Sequence, residues 1–409
     1  MKFVCILLLL GLAACGDGTD ATTDTDPAPD PESDAQAQYL VGGVVYAPEG
    51  PFAYGVIVDE LTLDVEVDLE TSGIFPGLPT IGFPDEPNGT FYVGLVESPR
   101  IIRYHVDEEG TLTETGELSV LPFGQISAGG SIVIINESRA YFFSGLNLDL
   151  VVFDPTEMVL LELIELDIKT PEGGQSYFSY TPARDGDRIV ITASHVRADV
   201  TTSPNSQAIF IDALTGEVEY DDLEGCGGFV EHAKDAEGNL FFSTFPRQSA
   251  MRIAGLAGDP ACPGCIARIA KDASRFDTQW IDLVGLAGSP AGSLAQGPGN
   301  TSYIMVYDDE ETPVTQDSAL ILPTIPSWSY AAIDLTNPTT LTPVPGLPTS
   351  AGVVISFSVV EGDAQTATPF IGISQGDFAG TDLYDMSDPS APELRMRLPG
   401  LASGALRLR

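Results

Sequence analysis

Hydrophobic positions along this chain recur at the strand period. Leu63-Asp64-Val65-Glu66-Val67-Asp68-Leu69-Glu70 alternates strictly, with apolar side chains on one face and carboxylates on the other. That is the pattern of a half-buried strand. Shorter β-branched or aromatic runs follow at Tyr92–Val96, Arg139–Phe143, Arg188–Thr192 and Asn239–Ser243. Gly, Pro, Asn and Asp punctuate them, as turns require. No long amphipathic helix is evident. Met158–Ile168 comes nearest, and its β-branched residues favour a strand.

A longer period lies above the strand period. A strand running into Asp, a turn and a return strand recurs at Asp59, Asp107, Asp154, Asp212, Asp272, Asp334 and Asp385. Successive spacings are 48, 47, 58, 60, 62 and 51 residues. A single hairpin cannot bury its apolar face, but stacked four-stranded units of this length can, and closing them into a ring limits exposed sheet edges. The expected fold is therefore all-β: a β-propeller of seven four-stranded blades over residues 39–409. An array of β-sandwiches and a β-helix are the alternatives. Tyr39–Tyr46 and Leu406–Arg409 are expected to share one blade and clasp the ring.

The first 38 residues read differently. Lys2, the apolar run Phe3–Leu10 and Gly11-Leu12-Ala13-Ala14-Cys15 occur in the order of a cleavable signal ending at a lipidated cysteine. The apolar run is too short to span a bilayer. Residues 1–14 are thus expected to be a signal peptide, and Cys15 to carry the lipid. Residues 16–38 hold seven acids and Pro at 27, 29 and 31, with no aromatic or large aliphatic residue. Such a segment cannot bury enough apolar surface to offset ordering entropy, so a disordered tether is expected. Gly16 follows the cysteine, which favours outer-membrane sorting.

Charge narrows the partners. The chain has 59 acidic and 18 basic residues, a formal net charge of −41. Such a surface repels nucleic acid and anionic membranes and favours solubility in salty water. Asp308-Asp309-Glu310-Glu311 could collect Ca²⁺, but it lacks the spaced ligands and Gly of a dedicated loop, and a solvated acidic loop is the simpler reading. No other cofactor is evident.

Of five cysteines, Cys226, Cys262 and Cys265 remain after Cys5 leaves with the signal and Cys15 is acylated. An extracytoplasmic setting favours a structural disulfide from Cys226 to Cys262 or Cys265. A redox pair at Cys262-Pro263-Gly264-Cys265 and a zinc site completed by His232 are the other readings. His105, His195 and His232 read individually as packed or surface residues. The sequence contains no H-E-x-x-H or Walker signature, and no catalytic residue is assigned. Three aromatic segments could line one end of a ring: Phe178-Ser179-Tyr180, Phe245-Pro246-Arg247 and Pro326-Ser327-Trp328-Ser329-Tyr330. Tyr180, Phe245, Arg247, Trp328 and Tyr330 would offer flat faces to a cationic, metal-chelate or sugar ligand. Ordinary packing between blades is the alternative.

The lipobox at Cys15, the Asp/Thr/Pro tether and Asp-marked strand pairs such as Arg139–Asp154 (RAYFFSGLNLDLVVFD) together resemble propeller-type surface lipoproteins of myxobacteria and related Gram-negative bacteria. Some of these accompany iron–siderophore uptake receptors. The resemblance implies a lipid-anchored binding or accessory protein working with an outer-membrane receptor or a small chelate. A propeller hydrolase or lyase acting on a glycan or ester is the alternative. No catalytic residue transfers with the resemblance.

Overall fold

A computed structural model describes most of the chain from Gln38 onward. The segments outside the description are 1–37, 48–49, 64–66, 68, 70–72, 76–78, 85–87, 180, 197–201, 256–263, 311–312, 316, 319–320, 353–354, 360–367, 375–377 and 409. The signal peptide, Cys15 and the tether as far as residue 37 therefore lie outside the described residues.

Seven antiparallel sheets form a ring. Blade 2 runs from its innermost strand outward as Pro79–Gly82, Thr90–Leu95, Arg100–Val106 and Leu112–Ser119. Blade 3 follows as Gly130–Asn136, Arg139–Ser144, Leu150–Asp154 and Val159–Ile164. Blade 4 has a split inner strand, Gln175–Phe178 and Ala183–Asp185, then Arg188–Val196, Thr202–Asp212 and Val218–Leu223. Blade 5 is Phe229–Lys234, Leu240–Thr244, Cys265–Ile269 and Ile281–Asp282. Blade 6 is Ala291–Gln296, Thr301–Tyr307, Trp328–Asp334 and Thr342–Pro343. Blade 7 is Ile355–Val359, Thr368–Ser374, Gly380–Asp385 and Glu393–Pro399.

Blade 1 closes the ring with both ends of the chain. Its inner strand is Leu401–Arg407, and Tyr39–Ala47, Gly50–Val58 and Gly73–Phe75 complete it. Tyr39 pairs with Arg407 and Val44 with Leu401. The expected clasp is present. One strand expectation differs: Leu63, Val67 and Leu69, the described apolar members of the alternating segment 63–70, belong to no strand. Val67 still packs against the core of blade 1. Its apolar side chain is covered without a ladder, and Gly73–Phe75 takes the outer position.

Second and third strands have a neighbouring blade over each face, so they read as continuous apolar runs. Phe143 and Val152 of blade 3 pack with Ile191 and Ile209 of blade 4. Val190 and Phe210 of blade 4 pack with Phe242 and Ala267 of blade 5. The outermost strand Leu112–Ser119, covered on fewer sides, is mostly exposed.

The Asp repeat has a structural cause. Each such Asp stands at or just past the end of a third strand. Asp107 Oδ1 accepts the N–H groups of Glu109 and Thr111, Asp154 Oδ1 those of Thr156 and Glu157, and Asp212 Oδ1 those of Leu214 and Thr215. Asp334 and Asp385 do the same for Thr336 and Ser387. Carboxylates thus close the turn to the outer strand, as short polar side chains do in Asx turns. The next residue's carbonyl links blades. Tyr92, Tyr141 and Tyr303 on second strands donate to Pro155 (3.1 Å), Ala213 (3.0 Å) and Met386 (2.8 Å) of the following blade. Arg188 does this for Ala273, after Asp272 (2.7 Å).

Antiparallel order fixes two faces. Third-to-fourth turns, with their Asp residues, emerge on one face, here called lower. Second-to-third connections and the passages between blades emerge on the other, upper face.

Candidate functional site at the upper face of blades 4 to 6

Helix α1 (Pro246–Ile253) lies in the second-to-third connection of blade 5. Pro246 stands in its first turn, where the missing N–H costs nothing. Phe245 is the extended N-cap residue, and its carbonyl accepts the Ser249 N–H at 3.1 Å. Gly255, at φ 75°, ends the segment in the left-handed region.

Arg252, in the last turn, is 1% exposed. Its Nη2 donates to the carbonyls of Ser203 and Gly227, both at 3.0 Å. It thereby ties the third strand of blade 4 and the passage into blade 5 to α1. Gly227 has no room for a side chain, because a Cβ would meet Asn205 O at 2.7 Å. The disulfide Cys226–Cys265 is next to this tie and fastens the same passage to the third strand of blade 5. Both cysteines are fully buried. Being oxidised, they are not thiolate ligands of the kind a zinc site needs. His232 Nδ1 instead lies 3.1 Å from Thr181 Oγ1. Cys262 lies outside the described residues.

Polar groups converge around α1. Gln248 Nε2 donates to the Tyr177 hydroxyl at 2.8 Å. Burial pushes that hydroxyl up to about 12, against the opposing charges of Arg252 and Arg247. Ala250, one turn along α1, shares a core cluster with Tyr330 of blade 6. Burial, and then the Glu231 carboxylate, raise the Tyr330 hydroxyl far above the usual tyrosine range. Glu231 is 8% exposed and follows a bulge in the inner strand of blade 5. Burial, with the Lys234 ammonium, presses His232 down to about 4, so it is neutral at pH 7. Ser293, on the inner strand of blade 6, has φ 54° beside another bulge. A non-glycine residue held there is strained, and such strain concentrates at functional positions.

Arg247 Nε, Gln248 Oε1, Ser293 Oγ and Tyr330 Oη, enclosed on or beside α1, have no hydrogen-bond partner among the described residues. Enclosed polar atoms normally find a partner, and exceptions point to a bound water, ion or ligand. The arrangement offers a guanidinium donor, hydroxyls and an amide carbonyl to an oxygen-rich guest.

The aromatic segments picked from the sequence meet only in part. Phe245, Arg247 and Tyr330 come to the surroundings of α1. Trp328 is fully buried; its indole donates to Leu322 O at 2.9 Å and its ring lies 5.0 Å from Tyr307. Tyr180 lies outside the described residues. Tyr177, Glu231, Gln248, Arg252 and Ser293 were not singled out by the sequence. One signal was available: with only 18 basic residues in the chain, two arginines within Pro246-Arg247-Gln248-Ser249-Ala250-Met251-Arg252 are conspicuous. Among the described residues no group of three or more His, Cys, Asp and Glu side chains is placed to hold a metal ion. Asp308 spends Oδ1 on the Glu310 N–H, and Glu311 lies outside the described residues. No described helix is long and apolar enough to cross a membrane.

No family model and no curated protein matches the chain. Solved structures do. A candidate 6-phosphogluconolactonase from Bacteroides fragilis is similar at 12% identity and TM-score 0.53, covering 93% of this chain and 100% of that one. A protein from Lactobacillus plantarum is similar at 11% identity and TM-score 0.54, covering 91% and 100%. The periplasmic gluconolactonase of Pseudomonas aeruginosa is similar at 12% identity and TM-score 0.51, covering 91% and 99%. At these identities the likeness is one of fold.

Proposed function

We propose that this protein is a lipid-anchored propeller of the cell envelope that captures a small, anionic, oxygen-rich ligand at the α1 end of its ring. The observation that carries the reading is Arg247. Its guanidinium acts on the Tyr177 hydroxyl, and its Nε is enclosed without a partner; Ser293 and Tyr330, on the blade that packs against α1, also hold unpartnered hydroxyls. In a chain of net charge −41, a cation placed there opposes the general field. Such a local cation selects for a carboxylate or phosphate whose remaining oxygens meet hydroxyl and amide groups. Sugar acids have that chemistry, and two of the similar folds belong to proteins named for sugar-lactone chemistry. Ferric chelates with anionic oxygen arms share it, which keeps the siderophore reading within the same ligand class. The anchor at Cys15 would hold the ring on the outer membrane, within reach of a receptor.

Thermal melting of the full-length protein against gluconate, 6-phosphogluconate, citrate and ferric citrate tests the reading. A ligand that binds only the folded state raises the midpoint; at a hundredfold excess over Kd the gain is about 2.7 kcal/mol. Arg247→Ala should weaken binding by about tenfold or more. A midpoint indifferent to all four compounds at millimolar concentration rejects the reading. Palmitate labelling that persists in Cys15→Ser rejects the anchor.

A further inference from the structure

The passage from blade 3 to blade 4, residues 165–174, runs at the upper end of blade 4, where three side chains form a hydrogen-bonded line. Ser176 and His195 are cross-strand partners on adjacent strands of blade 4, so their side chains leave the sheet on the same face. Ser176 Oγ lies 2.7 Å from His195 Nδ1. Thr170 Oγ1, from the passage itself, lies 2.7 Å from Ser176 Oγ. His195 is 4% exposed, while Ser176 is partly open to solvent. Farther out on blade 4, Asp222 lies opposite Gln207, itself opposite Ala193, two residues before His195. Lys169 pairs with that carboxylate.

Burial lowers His195 below the ordinary histidine range, against the pull of Asp222, so the ring is neutral near pH 7. A neutral imidazole with its proton on Nε2 presents Nδ1 as an acceptor. In that tautomer the single Ser176 proton points at His195, and Thr170 donates its own proton to the serine oxygen. A solvent-reachable hydroxyl aimed at a neutral, enclosed imidazole is the arrangement that acyl transfer uses. Tyr177, next in the strand, leaves the opposite face toward α1, so this line is separate from the ligand site proposed above and does not depend on it.

We propose that Ser176 is a nucleophile with His195 as its general base, and that this part of the ring cleaves small carboxylic esters. Ser176 Oγ forms a bond to the acyl carbon as its proton passes to His195 Nδ1. The bond from acyl carbon to alcohol oxygen then breaks, and His195 returns the proton to the leaving alcohol. Water reverses the sequence: its hydroxide adds to the acyl carbon, its proton passes through His195 to Ser176 Oγ, and the carboxylic acid leaves. No oxidant, reductant or further reactant is needed.

A fluorophosphonate probe, which phosphonylates activated serines, tests the proposal on the full-length protein. Peptide mass mapping should place the adduct on Ser176, and Ser176→Ala should lose both the adduct and the hydrolysis of p-nitrophenyl acetate. His195→Gln should slow adduct formation by about 10²-fold or more, the usual worth of a positioned base. The wild-type labelling rate should hold as pH is lowered from 8 and halve only below about 6.5, the ordinary histidine value. Unchanged thermal midpoints show that the variants fold. An unlabelled Ser176, or an adduct forming equally fast in His195→Gln, overturns the proposal.

Discussion

Blades 2 and 3 are built from the same strand pattern as blades 4 to 6, yet the two regions carry different material on the upper face. The lower-face Asp residues are 48 and 47 residues apart across blades 2 and 3, and 58, 60 and 62 apart across blades 4, 5 and 6. In the first region the second-to-third connections are short, 96–99 and 145–149, and the nearby loops leave Leu121, Ile126 and Leu146 exposed. In the second region the connections of blades 5 and 6, 245–264 and 308–327, hold α1 and a 3₁₀ turn at Leu322–Thr324. There the enclosed side chains include the charged Glu231 and Arg252 beside Ser293, the tyrosine hydroxyls and apolar Ala250 and Met251, whereas the upper end of blade 3 encloses the uncharged Gln125 and Ser144. The comparison teaches that the strand frame tolerates extra chain on one face, and that enclosed charge collects where the extra chain is held by tertiary contacts.

The comparison can be broken most forcefully at Arg252. Arg252→Ala strands the Ser203 and Gly227 carbonyls in a buried place and should cost about 3–5 kcal/mol, the scale for breaking a buried charged tie. Arg100→Ala in blade 2 removes an exposed pair with Glu117 at 3.0 Å and should cost less than about 1 kcal/mol. Equal losses of denaturation midpoint would mean that the two regions do not differ in the way described.

The disulfide comes next. Replacing both Cys226 and Cys265 by Ser frees a loop with a sequence separation of 39 and should cost about 4 kcal/mol by the chain-entropy model. Hydrogen exchange on that variant should speed in blades 4 and 5 and change little in blades 2 and 3. Uniform acceleration around the ring would show that the tie is global.

Mild acid sharpens the contrast through the histidines. His232 is held at about 4, below its unfolded value near 6.5. The unfolded chain therefore takes up the proton first. This stability is present above about pH 6.5 and is lost as pH falls toward 4. By pH 5 the loss is at most about 2 kcal/mol, less what solvent screens. His195, lowered by burial, changes stability in the same direction. Turn carboxylates such as Asp212, held low chiefly by the Thr215 N–H, lose their contribution only as pH falls below about 4. A stability profile flat from pH 7 to 4.5 would contradict the His232 assignment. His232→Phe should flatten the profile if that histidine causes it.

The smallest expected difference lies in two Asp turns. Asp154→Ala in blade 3 removes two bonds at the open lower face and should cost about 1 kcal/mol. Asp235 in blade 5 is buried and accepts from Glu237 N, Asn239 N and Asn239 Nδ2, so Asp235→Ala should cost about 2 kcal/mol. Chemical denaturation resolves a gap of that size. A larger loss at Asp154 would place the weight on the blade 3 turn.

Much of the frame was legible in the chain. Second strands announced themselves as apolar runs because neighbouring blades cover both their faces, as at Tyr141-Phe142-Phe143 and Ile189-Val190-Ile191. Asp repeats announced the lower-face turns because a carboxylate two residues before a free N–H closes a turn locally. The segment 63–70 shows the limit of such reading. Its alternation is as clean as any in the chain, but its described apolar residues join no ladder, because Val67 finds cover from the body of blade 1 without one.

Strand period, blade spacing and the lower turns were set by contacts between residues near each other in sequence, and so the sequence alone determined them. The upper-face site was decided only by the tertiary structure. Gln248 meets Tyr177 across 71 positions, and Arg252 reaches Ser203 across 49. Glu231 acts on Tyr330 from another blade. No local pattern encodes such meetings, because they exist only once ring closure has brought separate blades to one end of the same axis.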